Sequence, residues 1–205
     1  MAEQSTKVTV KVSAGMVTYE FPDMNPDARL CELILYIAEK CANDAAFNAT
    51  RLNKILFYAD FLSYAKTGVP VTGSAYHALE HGPAPKRLVP VRNQMIDAGE
   101  LEIKRVPKFT FARQQYVALR RANIDEFFRP SDIALVDELI EMFWGKSAQM
   151  ISEFSHHRLW KIARGTTNSD ALIPYESMFI SDDQPTDADI ARAHELVKLY
   201  EWDVD

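Results

Sequence analysis

The sequence predicts a mostly helical α+β fold, with a central buried helix and small β hairpins at its flanks. Three observations carry that expectation. Apolar residues recur at helical spacing through residues 30–41 and 50–67; apolar and polar residues alternate near the N-terminus and again around residues 101–119; and no apolar run approaches the roughly 18–20 residues of a membrane span. With 205 residues, 47% of them hydrophobic and 25% charged, the chain can bury one sizeable core and has little room for long disorder, so a single domain is expected. The opening "MAEQSTKVTVKV" lacks the apolar core of a signal peptide, which points to the cytoplasm.

The elements follow in order. "KVTVKV" and "MVTYEF" alternate around "SAG", the pattern of a hairpin, which must pack on something because a lone hairpin is marginal. The prolines and aspartates of "FPDMNPDA" suit a turn followed by a helix start. Leu30, Leu33, Ile34, Ile37, Ala38 and Cys41 then line one face of a first helix. Asn48 or Thr50 can cap the next helix, and Gly68 should stop it. Its stripe is Leu52, Ile55, Leu56, Ala59 and Leu62. Phe57, Tyr58, Phe61 and Tyr64 widen that stripe until only a narrow polar face remains, the pattern of a helix in the middle of a fold. Asp60 interrupts the run, and a carboxylate near a core needs a hydrogen-bond donor or a cation.

"VPVTGSAYHALEHGPAP" reads as irregular, with a short strand around Ala75–Leu79. Pro85 suits a first helical turn, and Pro90 should kink or restart that helix before it closes at Gly99. "LEIKRV" and "FTFARQQYVAL", joined around "PK", read as a second hairpin. Ser131 can cap a helix lined by Ile133, Val136, Ile140, Phe143 and Trp144, with Gly145 as its stop. Ser147 can cap a short successor. Beyond a mostly irregular stretch, Thr186 and Asp189 make a near capping box for a last helix through Trp202.

Charge is uneven: residues 1–121 carry 16 basic and 12 acidic side chains, the remainder 7 and 17. Nine of the basic residues fall between Lys86 and Arg121, which makes either a solvated face or a footprint for nucleic acid or an acidic partner. Three helices followed by a basic hairpin is the order of a winged helix, so a winged-helix-like DNA-binding transcriptional regulator is the alternative reading. Its recognition segment, with Lys86, Arg87 and Arg92, is interrupted by Pro90.

Catalytic and metal signatures are not legible. Cys31 and Cys41 lie about 15 Å apart along one helix, too far for a bridge. His77 and His81 on an extended segment would sit about 13 Å apart, too far to share a zinc ion. No G-x-S-x-G or G-x-x-x-x-G-K-[ST] occurs. His156 and His157 beside Trp160 read as helix-end donors rather than bases.

Taken together, "RLNKILFYADFLSYAKTGVPVTGSAYHALEHGPAP" and "SEFSHHRLW" resemble the Panacea, or SocA-like, antitoxin domain. Leu52, Lys54, Leu56, Tyr58, Asp60 and Gly68 match its lysine- and leucine-rich helix; Thr72, Gly73 and Tyr76 match the element that follows; Gly82, Pro83 and Pro85 match its Gly-Pro-Val-Pro turn, with Ala84 in the third place; Ser152, His156 and Trp160 match its last motif. The resemblance covers roughly residues 28–179. It divides the chain into an N-terminal hairpin addition (1–27), a family core (28–180) and a C-terminal helix (181–205). His81 departs from the pattern, standing where the family often has an aromatic residue.

The resemblance implies a bacterial or phage antitoxin that neutralises a cognate protein toxin, encoded by the adjacent gene, through direct contact. It implies no enzymatic activity or cofactor; from the residues no metal and no membrane partner is expected, and nucleic acid is the less favoured partner; a hetero-oligomer with the toxin follows, and a homo-oligomer is allowed. Tight interfaces concentrate their energy in aromatic and arginine anchors, so Tyr76, His77, His81, Arg87, Phe127, Phe128 and Arg129 are the candidate contacts.

Overall fold

The computed structural model describes residues 9–13, 16–79, 82–108, 111–146, 172–179 and 186–199. The fold is mostly helical α+β with small antiparallel sheets. Strands β1 (Thr9–Ser13) and β2 (Met16–Glu20) form the N-terminal hairpin. A 3₁₀ turn at Pro22–Met24 leads through Asn25, at φ 48°, into α1 (Pro26–Lys40). Helix α2 (Ala49–Thr67) is followed by β3 (Tyr76–Leu79), β4 (Gly82–Pro85) and α3 (Leu88–Asp97). Then come β5 (Leu101–Lys108), β6 (Phe111–Ala118), α4 (Ile124–Phe127) and α5 (Pro130–Phe143). Strand β7 (Leu172–Ile173), a 3₁₀ turn at Tyr175–Phe179 and α6 (Asp187–Leu199) complete the described chain.

Helix α2 is the hub. Asn48 Oδ1 accepts from Arg51 N–H at 3.0 Å, closing one orphan donor of its first turn, and Gly68 at φ 73° ends it. Between these ends Leu52, Ile55, Leu56, Phe57, Ala59 and Phe61 are fully buried. Each large apolar side chain sealed in this way contributes about 1.5–3 kcal/mol. The helix packs against α1, α5, β4, β6 and the 3₁₀ turn at 175–179. A main cluster lies toward α1, α3 and α5, and a second, aromatic cluster joins Phe21, Phe57, Phe61, Tyr76, Ile173 and Tyr175.

The second sheet runs in the order β4-β3-β7, all antiparallel, with Tyr76 opposite both Pro85 and Ile173. This corrects the placement of Pro85, which lies in β4 rather than in a first helical turn. An edge strand tolerates proline because its outer nitrogens have no ladder partner to supply. The helix that follows starts at Leu88, so Pro90 sits in its first turn, where the N–H has no intrahelical acceptor, and no restart is needed.

Two further expectations are corrected. Pro107 and Lys108 belong to β5, opposite Ala112 and Phe111, so the β5–β6 ribbon runs on past the expected turn; both strands of a two-stranded ribbon are edges. Helix α5 begins at Pro130, so Ser131 lies inside it, and Asp132 accepts from the Arg129 N–H at 3.1 Å. Thr186 and Asp189 do form the reciprocal box that starts α6. The Ser147-capped helix, His81 and the motif Ser152, His156, Trp160 lie outside the described residues.

Gly73 adopts φ 76°, and a Cβ there would lie 3.2 Å from Phe21 Cβ; Gly68 has φ 73° and open space. Gly73→Ala is expected to cost about 1–3 kcal/mol and Gly68→Ala only about 1 kcal/mol. Urea midpoints at unchanged m-value check this, and a larger loss at Gly68 would contradict it.

Candidate functional site

The sequence left Asp60 in need of a partner, and the structure supplies several. Asp60 is fully buried on α2. The Thr72 N–H donates to its Oδ1 at 2.5 Å and the Thr72 hydroxyl to its Oδ2 at 2.5 Å, while the Tyr76 hydroxyl donates to Oδ2 at 2.8 Å. The Thr72 hydroxyl also accepts from Ser74 N–H at 3.1 Å and lies 2.9 Å from Ser74 Oγ. Tyr175 O–H donates to the Ser74 carbonyl at 2.5 Å, carrying the network across to the 3₁₀ turn. Gly73, tucked against Phe21, lets the backbone double back so that Thr72 and Tyr76 meet the same carboxylate.

Arg29 of α1 reinforces the same region. Its Nε donates to the Val71 carbonyl at 2.7 Å, its Nη1 to the Phe127 carbonyl, and its guanidinium lies 4.8 Å over the Phe128 ring. Burial pushes the Asp60 carboxyl up to about 6, against the opposing pull of the Thr72 and Tyr76 donors and the Arg29 charge. Burial likewise lowers Arg29 and raises Tyr76 and Tyr175 well above the ordinary phenol range.

A second buried polar node holds the start of α2. Arg51, 1% exposed, donates to Asp44 and to the Lys146 carbonyl, and Gly145 N–H approaches the same Asp44 carboxylate at 3.4 Å. Lys54, one turn on, is fully buried, and desolvation pulls its ammonium down to about 8. Tyr58 packs its ring 5.7 Å from Phe143 and 5.3 Å from Phe57, and burial pushes its phenol up to about 12.

The predicted site residues thus separate into two groups. Lys54, Asp60, Thr72, Gly73, Tyr76, Gly82, Pro83 and Pro85 are buried in α2 and the segment it organises. Tyr76, with 1% exposure, and Phe128, with 7%, give up their place among the contact candidates because rings and hydroxyl are spent inside the fold. His77 and Phe127 are half-buried, and Arg87 and Arg129 are exposed. Arg87 clasps Asp27 at 2.6 and 3.1 Å, and Arg129 clasps Asp132 at 2.7 and 3.1 Å. Beside Arg87 opens a cavity of about 690 Å³, walled by Phe21, Pro22, Pro26 and residues 73–75.

The sequence reading missed Arg29, Ser74 and Tyr175. Arg29 was detectable as a cation at the head of an apolar helix; Tyr175, 101 residues from its acceptor, carried no local signal.

The description "Antitoxin SocA-like, Panacea domain" matches residues 52–161, just over half of the chain. The chain belongs to this antitoxin family. No curated protein and no solved structure matches it. The Panacea match begins inside α2 and runs through α5, leaving out the N-terminal hairpin, α1, β7, the 3₁₀ turn at 175–179 and α6. It does not favour the winged-helix alternative, and neither does the geometry: Lys86 and Arg87 precede α3, and Arg120 of the basic stretch is held by Glu32 at 2.7 Å and Glu100 at 2.8 Å. Among the described residues no cluster of three or more histidine, cysteine or acidic side chains could hold a metal, and no helix is long and apolar enough to cross a membrane.

Removing the Asp60 carboxylate orphans three buried donors, so Asp60→Ala is expected to cost at least about 3 kcal/mol. The folded-state pKa is raised, so the Asp60 contribution is largest below about pH 4 and is lost as pH rises through about 6. Urea titrations at pH 7 and pH 4.5 should show the wild type gaining stability relative to Asp60→Asn on acidification. An unchanged difference between the two proteins would refute the shift.

Proposed function

We propose that this protein is an antitoxin that neutralises a cognate protein toxin, encoded by the adjacent gene, by direct protein–protein contact in the cytoplasm, without catalysis or a cofactor. The observation that carries this reading is the Panacea match over residues 52–161, joined to the finding that Lys54, Asp60, Thr72 and Tyr76, among the described matching residues, lie inside the fold. Lys54, Asp60, Thr72 and Tyr76 are all at most 1% exposed. What they supply is therefore a rigid platform, and the partner must be read by residues around it.

In this reading residues 28–180 are the platform, and the N-terminal hairpin and the C-terminal helix are additions to it. His77, Arg87, Phe127 and Arg129 remain as contacts, with the Arg87 rim of the cavity beside α1 presenting an apolar wall and a guanidinium together. That combination is the usual composition of an interface anchor.

Co-expression with the adjacent gene product should restore growth that the toxin alone arrests, and the two proteins should co-purify. Arrest that persists despite soluble antitoxin would exclude the reading.

A further inference from the structure

We propose that the C-terminal turn of α5 is the surface through which this chain grips its toxin. Trp144 and Met142 are its apolar anchors, and the surface that receives them is an apolar recess rimmed by lysine or arginine. The inference rests on the antitoxin reading and adds to it a docking surface and the chemistry of its partner.

Eight large apolar side chains are exposed among the described residues, and six of them stand apart from one another along the chain. Exposed apolar residues scattered singly are ordinary. Met142 and Trp144 are not single: they lie two residues apart, 54% and 46% exposed, where α5 ends. The spacing of the sequence places Trp144 on the buried stripe of this helix, but the helix stops at Phe143, and Trp144, at φ −54° and ψ 130°, turns out of it.

The backbone that carries Trp144 is held firmly. Its N–H donates to the Glu141 carbonyl at 3.2 Å, and the Lys146 N–H donates to the Phe143 carbonyl at 3.2 Å. Gly145 N–H approaches Asp44, and the Lys146 carbonyl accepts from buried Arg51. The Arg51–Asp44 pair thus fixes the chain just past the tryptophan. A half-exposed tryptophan on a fixed backbone has little further freedom to lose on binding, which is what makes an anchor strong.

Charge chooses the partner. Glu138, Glu141 and Met142 fall at i, i+3 and i+4 on the outer face of α5, and all three are exposed. Among the described residues neither glutamate makes an ion pair or a side-chain hydrogen bond. The last turn of α5 holds no basic residue, although the carbonyl end of a helix favours cations and disfavours carboxylates. Lys40 is engaged by Asp137 at 3.6 Å, and Lys146 pairs with neither glutamate. This placement weakens the free helix, whereas a cation from outside would meet two carboxylates and a helix end at once. A second copy paired through this face would set glutamate against glutamate, and nucleic acid or anionic lipid would be repelled. A protein surface with lysine or arginine around an apolar recess complements both halves of the patch.

The test uses the full-length chain and the protein encoded by the adjacent gene. Trp144→Ala, and separately Glu138→Lys with Glu141→Lys, are compared with the wild type by binding titration at several salt concentrations, growth rescue and thermal melting. Trp144→Ala should weaken binding about tenfold or more while melting close to the wild type. The charge reversal should slow association, most at low salt, yet melt no lower than the wild type, because lysine suits the end of a helix. Weaker binding with stability unchanged or raised is a result that a merely structural role does not give.

If the wild type binds and both variants bind equally well, the docking assignment is wrong and the antitoxin reading stands. If the wild type itself neither binds nor rescues, both fall. A Trp144→Ala protein that melts well below the wild type, together with unchanged binding by the charge reversal, would show the ring spent inside the fold and would overturn the assignment. Self-association of the free wild type that Trp144→Ala abolishes would give the surface to a second copy and overturn it likewise.

Discussion

Much of this structure depends on a carboxylate that has no water to turn to. Asp60 sits on the most buried helix of the fold and is charged only if donors are brought to it. The chain meets that demand within sixteen residues by folding the 72–76 segment back along α2, so that Thr72 and Tyr76 supply three donors to its two oxygens. That return sets where β3 begins. It therefore sets the β4-β3-β7 sheet, and through Ser74 and Tyr175 it anchors a segment a hundred residues later in the chain.

The Arg51–Asp44 pair plays a comparable part at the other end of α2, tying the helix start to the end of α5. Between the two polar nodes Leu52, Ile55, Leu56, Phe57 and Ala59 are apolar and fully buried. Breaking either node would leave uncompensated donors or a lone charge inside, a loss larger than the intact interaction contributes in net terms. Polar groups used in this way fix geometry more than they add stability, and fixed geometry is what a binding platform needs. The burial of Lys54, Asp60, Thr72 and Tyr76 also separates two roles that a motif can confuse, since a matched residue can be there to hold the shape rather than to meet the partner.

The outer surface has a different character. Among the described residues, Arg87, Arg120 and Arg129 are clasped by neighbouring carboxylates. Net charge is concentrated instead in the C-terminal segment, away from the balanced remainder.

What the sequence determined by itself is local. Asn48 and Gly68 bound α2, Thr186 and Asp189 start α6, and the alternation of residues 101–106 marks β5, because caps, positive-φ glycines and periodicity act within a few residues. The motif residues were legible as a set, though not as buried ones. Only the tertiary structure decided the rest. Pro85 fits a first helical turn and an edge strand equally well, and the choice fell to Tyr76, the residue that pairs with it. Tyr76 could have been a surface anchor until Asp60 claimed its hydroxyl. Asp60 itself announced a need without naming who would meet it, because a buried charge selects its partners by proximity in space, and the chain carries no periodic signal for that.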